Sequence, residues 1–118
     1  MLRLLCALLL FTSAVLAADV SGAWQVTVET SQGTGSPTVV LQQQGDQLTG
    51  TFNSQVFGEA KLTGTVKGNA IEFGFTGDAG GTSIKVTFKG TIESAGAMKG
   101  TAVYEGFDDK ATWSATKK

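Results

Sequence analysis

Asp78, Glu105, Asp108 and Asp109 are the side chains with the most chemistry to offer. They are hard oxygen donors grouped in two loop-like stretches, so the chemistry open to them is oxygen-only binding of a cation such as calcium. The ligand spacing of an EF-hand is missing, and two adjacent acids rarely enclose an ion. A solvated acidic loop is the simpler reading. The chain has no His, and its one Cys, Cys6, lies in an apolar N-terminal run. Nucleophile–His pairs are therefore excluded, as are the usual nitrogen and sulfur metal ligands. Gly77-Asp78-Ala79-Gly80-Gly81 lacks the Lys and the following helix of a phosphate loop. Carboxylates for glycoside chemistry must face each other in an enclosed cleft, whereas the acids here fall on loops or outward positions. The expectation is a protein that is not an enzyme and uses no metal or cofactor.

The elements that would position any site are strands. Leu48-Thr49-Gly50-Thr51-Phe52 recurs as Leu62-Thr63-Gly64-Thr65-Val66, Phe88-Lys89-Gly90-Thr91-Ile92 and Met98-Lys99-Gly100-Thr101-Ala102. An apolar–polar alternation of period two is a strand with one buried face. The same alternation predicts strands over 22–30, 37–44, 47–53, 59–67, 70–76, 82–92, 98–104 and 110–116. Loops are predicted over 31–36, 54–58, 77–81 and 105–109, with tight turns at Gly45-Asp46 and Gly68-Asn69. Eight such strands in sequence form an antiparallel up-and-down β-barrel, because closure removes both exposed edges. A two-sheet sandwich is the alternative architecture.

Residues 1–17 read as a signal peptide: Arg3, an apolar run from Leu4 to Leu16, and small or modest residues up to Ala17. The run is short for a bilayer span. Cleavage after about Ala17 would leave one domain, 18–118, secreted or periplasmic, free of cysteine and without membrane insertion. That domain carries eight Lys, no Arg and ten acidic residues, a net charge of −2. Such a balance gives no attraction for nucleic acid.

In this barrel the longer loops share one end, which becomes the mouth. Val28, Val39, Phe52, Phe75, Ile84, Val86 and Tyr104 point inward in the half nearer that end. They are apolar with one hydroxyl, which suits a small apolar ligand oriented by Tyr104. The competing expectation is that these side chains pack together and fill the barrel. Val56, Phe57 and Phe107 fall in mouth loops, where they act either as a contact surface or as lids folded onto the core. At the other end Gly50, Gly64, Gly90 and Gly100 share one depth with Trp24 and Trp113. The expectation is a closing layer in which missing side chains make room for two large rings, and in which Gly also eases the bending that closure needs.

Ser21-Gly22-Ala23-Trp24 carries a Gly-x-Trp pattern that resembles the first strand of the calycins, which include lipocalins, fatty-acid-binding proteins and avidins. Gly45 to Ser54, with its Leu-Thr-Gly-Thr core, also resembles an avidin strand. The resemblance implies a barrel closed by Trp24. Lipocalins pack a late Arg over that Trp, and Lys117 is the nearest substitute here. Avidins carry a Tyr at the position of Phe52 and a polar ligand-binding residue at that of Val26, so biotin binding is not expected. Two functions follow as expectations. One is a non-enzymatic envelope protein holding a small apolar molecule in the mouth. The other is a filled barrel that binds a protein partner, in the manner of a protease inhibitor.

Overall fold

The computed structural model describes residues 19–79, 81–106 and 111–118. The predicted signal peptide, and the mouth residues Phe107, Asp108 and Asp109, lie outside the described residues. Nine strands follow one another among the described residues: β1 (Gly22–Thr30), β2 (Gly33–Gly35), β3 (Thr38–Gln44), β4 (Gln47–Ser54), β5 (Gly58–Lys67), β6 (Ala70–Ala79), β7 (Thr82–Ser94), β8 (Ala97–Tyr104) and β9 (Ala111–Lys117). Every pairing is antiparallel, and all join chain neighbours except β1 with β3 and β1 with β9. The β1–β9 ladder, from Trp24 opposite Lys117 to Glu29 opposite Thr112, closes the sheet. β2 is a short flap paired only to the upper end of β1. The result is a closed eight-stranded antiparallel barrel with one extra strand at its rim.

Alternation places the predicted faces correctly. Trp24, Val26 and Val28 of β1 are buried, as are Ile84, Val86, Phe88 and Ile92 of β7. Among the described residues no polar or charged side chain is fully buried. The lower and middle barrel is packed solid. Phe88 stacks on Phe73 at 5.1 Å and meets Trp113 and Phe52 at 5.6 Å each. Aromatic pairs at such spacings add to the burial of their area.

Three expectations about connections change. The stretch 31–36 was expected to be loop and contains β2, since Thr30 donates its hydroxyl to Gly33 O and closes a small hairpin. β6 runs on to Ala79, pairing Asp78 with Ser83, so 77–79 are strand and the β6–β7 connection is tight. β7 likewise continues to Ser94 through a register shift between Ile92 and Ser94. In each case backbone pairing extends past the point where glycine and polar composition suggested a break.

In the glycine layer the closure of the barrel weighs more than room for the rings. A Cβ at Gly50 would strike Val40 O, one at Gly64 would strike Glu72 O, and one at Gly100 would strike Lys89 O, all backbone atoms of the adjoining strand. The glycines let neighbouring strands approach and coil closely enough to close the barrel. A ring enters the account only at Gly90, where a Cβ would lie 2.7 Å from Trp113 Cζ2. Gly90, Gly100 and Trp113 stand in register across β7, β8 and β9, and the indole reaches the Gly90 position. Its Nε1 donates to Lys89 O and Thr101 O.

Trp24 closes the bottom by other means. It is fully buried and its Nε1 donates to Val20 O at 2.9 Å. Lys117 Nζ stands 5.9 Å from the Trp24 ring, as the comparison with the lipocalin Arg suggested. Its Cε would be 2.9 Å from a Cβ at Gly22, whose φ of +130° already disfavours a side chain. Gly-x-Trp here is a backbone groove and a ring that one lysine stem covers.

One ladder is short. β5 and β6 pair from Lys67 opposite Ala70 up to Thr63 opposite Gly74. Above that point β5 keeps pairing with β4 as far as Gly58, and β6 with β7 as far as Ala79. The two strands therefore part near the mouth. A groove of about 660 Å³ lies on the outer face at this parting, with Lys61 and Thr76 among its flanks and Phe73 and Phe75 at its floor.

Candidate mouth site

The mouth is where the packed interior gives way to space. A cleft of about 750 Å³ opens there between the β2 flap and the loop joining β4 to β5. Its apolar floor includes Val28, Phe52 and Ile84. Thr30, Gln32, Ser54 and Gln55 give it a polar rim, and Tyr104 stands at the boundary between the two. Small-molecule sites share this composition, an apolar body with a few placed polar groups.

Alternation along the strands brings the floor together. Val28 is near the top of β1, Phe52 near the top of β4, Ile84 near the start of β7 and Tyr104 at the end of β8. All four were chosen from sequence. The other three of that set lie deeper. Val39 and Val86 are sealed in the core and do not line the cleft. Phe75 is covered on one face by Phe52, with ring centroids 4.2 Å apart, and at its edge by Phe57. Parity along a strand tells which residues point inward, but not how far down the packing stops.

The polar rim was not found from sequence. Gln32 to Ser36 are Gly-, Thr- and Ser-rich and read as a bare loop. Their position follows from β2 pairing with Val28, Glu29 and Thr30. Of the apolar mouth residues, Phe57 folds back onto the core and is half-buried, whereas Val56 is 68% exposed at the loop tip. Asp78 accepts a hydrogen bond from Ser83 Oγ at 2.9 Å. Glu105 anchors the end of β8 through its backbone, with its N–H donating to Lys85 O.

Tyr104 is half-buried, and desolvation pushes its phenol above the usual value of 10. The folded barrel therefore keeps a proton that the unfolded chain releases near pH 10. Its contribution to stability is complete below that pH and is lost as pH rises above it. Tyr104 is the sole tyrosine in the chain. The phenolate absorbance of the native protein should accordingly titrate as one step above pH 10, and the denatured protein should titrate lower. A native midpoint at or below the denatured one would show that the hydroxyl is fully solvated.

No protein-family model matches the chain, and no curated protein matches it. Solved structures do. A redesigned β-barrel superposes with a TM-score of 0.70 at 19% identity, covering 84% of this chain and 91% of its own. A second redesigned barrel, mFAP1, bound to DFHBI, gives 0.68 at 19% identity over 83% and 94% of the two chains. A de novo fluorescence-activating β-barrel gives 0.63 at 15% identity over 83% and 93%. At these identities the likeness is one of fold.

Proposed function

We propose that this chain is a non-enzymatic, calycin-like binding protein that holds a small apolar molecule in the mouth of its barrel. The signal-like N-terminus supports a place outside the cytoplasm, secreted or periplasmic, after cleavage near Ala17. The observation that carries the reading is the cleft of about 750 Å³ above an otherwise solid core. Its size falls within the range of small-molecule sites. One of the similar designed barrels was solved holding a small molecule, DFHBI, which makes a mouth-bound ligand physically reasonable for this architecture.

Native mass spectrometry of the protein from its producing cells should reveal a co-purifying small molecule. The uncharged probe Nile red should bind saturably, and Tyr104→Phe should weaken it by roughly fivefold, the loss of about 1 kcal/mol from one hydrogen bond. Absence of a co-purifying molecule together with a non-saturating probe signal would rule out the ligand reading.

Val56 favours a second reading, in which the mouth loops dock a protein. An exposed apolar loop tip suits such a contact. If Val56→Asp abolishes capture of a specific envelope partner while leaving Nile red binding unchanged, that reading holds. Recovery of no specific partner would count against it.

A further inference from the structure

Phe57 is a loop residue whose ring already sits in the mouth. The ring lies against the backbone of β6 at Gly77, where a Cβ would come 2.6 Å from Phe57 Cδ1. It stands edge-on to Phe75 at 5.5 Å and within 18° of parallel to Tyr104 at 6.4 Å. Glycine within a strand weakens it and marks a close approach. At Gly50, Gly64, Gly74 and Gly100 the nearest approaching atom belongs to the backbone of a neighbouring strand. At Gly77 all three nearest atoms belong to the Phe57 side chain. The seat is thus shaped for a flat ring, with bare backbone beneath, an aromatic edge on one side and an aromatic face on another.

The ring can leave without unpicking the barrel. Its loop is a short hairpin in which Ser54 pairs with Gly58 and Phe57 N donates to Ser54 Oγ at 3.0 Å. Gly58 turns at φ +68°, a conformation glycine adopts freely. Gln55 and Val56 are exposed. The wall behind the ring is the parting of β5 and β6, where their pairing has ended at Thr63 and Gly74 and no ladder has to break.

We propose that Phe57 is a stand-in occupant of the ligand site, displaced on binding by a planar aromatic group of the ligand. This rests on the mouth being a ligand site, and adds the ligand's class and the residue that gates it. Displacement exchanges one ring for another on the same seat, so an aromatic ligand recovers the contacts that Phe57 gives up. A flexible aliphatic chain recovers fewer of them. A protein whose binding-competent state is only partly populated binds more weakly by that fraction, and removing the competitor restores the difference.

The test uses naphthalen-2-ol and decan-1-ol, titrated calorimetrically against the wild type, Phe57→Ala and Gly77→Val. Naphthalen-2-ol should bind the wild type more tightly than decan-1-ol. Phe57→Ala should tighten naphthalen-2-ol about tenfold by vacating the seat. Gly77→Val should weaken it by a similar factor by filling the seat from the wall, with far-ultraviolet circular dichroism confirming that the barrel is retained. Weaker naphthalen-2-ol binding by Phe57→Ala would make Phe57 a fixed wall of the site and overturn the inference. Equal or tighter binding of decan-1-ol by the wild type would overturn the ligand class while leaving the mouth site standing. Binding of neither compound by any of the three proteins would remove the mouth site itself, and the inference with it.

Discussion

Gly100→Ala destabilises the barrel by about 3 kcal/mol or more, at the upper end of what overpacking costs. The first added carbon is already the one that collides. A Cβ there meets Lys89 O and lies 2.5 Å from Gly90 Cα, and both belong to the backbone of β7. Backbone in a continuous ladder cannot swing aside as a side-chain end can. Gly100 is paired to Gly90 on one side and Trp113 on the other, so any shift is felt across three strands. Gly64→Ala should behave alike, because its Cβ meets Glu72 O and comes 2.7 Å from Phe73 Cα. The distinguishing result is the near-equality of Ala and Val. If the glycines merely made room for rings, Ala would be tolerated and only Val would be costly. Urea unfolding of both variants measures the difference, and a neutral Ala at both positions would disprove close strand approach as the reason for the repeat.

Phe88→Ala should cost about 3–5 kcal/mol, the range for removing a buried aromatic ring. Phe88 is fully buried at the centre of the interior, with Phe73, Phe52 and Trp113 around it. Strands of a closed barrel are tied on both sides, so the site collapses poorly and the vacated volume persists as a cavity. The variant should also take up a small apolar guest such as benzene, as dry engineered cavities do. Thermal unfolding with and without benzene measures both effects. A loss under about 1 kcal/mol would mean that the middle of the barrel is loosely packed, and the division into a solid body and an open mouth would fall.

That division explains how much could be read in advance. Period-two alternation announces strands wherever one face is buried, and it placed Trp24, Leu62, Phe73 and Phe88 correctly without any contact being known. The four Gly-Thr repeats were also visible, but composition alone could not show what each glycine approaches. That depends on register between strands, which puts Gly100 beside Lys89 O rather than beside a ring. β2 was hidden for a related reason. Gly33-Thr34-Gly35 has no buried face, all three residues are exposed, and only pairing to Val28, Glu29 and Thr30 makes them a strand. The same short strand supplies one wall of the cleft, so the polar rim could not be anticipated. Phe57 sits between these cases. Its loop position was legible, and its seat on Gly77 was not, because two chain segments twenty residues apart must first be brought together by the fold.

The choice of mouth residues shows the same limit from the other side. Val39, Phe75 and Val86 point inward like the lining residues, and Val86 even shares β7 with Ile84, yet all three are sealed in the packing and none lines the cleft. Depth follows from strand tilt and from which side chains meet at the axis. Here Phe52 of β4 stacks on Phe75 of β6, and Phe52 is the ring left facing the cleft.

The central claim is that a filled barrel binds a small apolar ligand at its mouth and nowhere else. Chemical-shift mapping of the isotopically labelled protein during titration with Nile red tests it most directly. The account predicts saturable shifts centred on Val28, Phe52, Phe57, Ile84 and Tyr104, with Trp24, Leu48 and Val66 at the closed end unmoved. Shifts centred on the outer face or the closed end, or no saturable shifts at all, would contradict it.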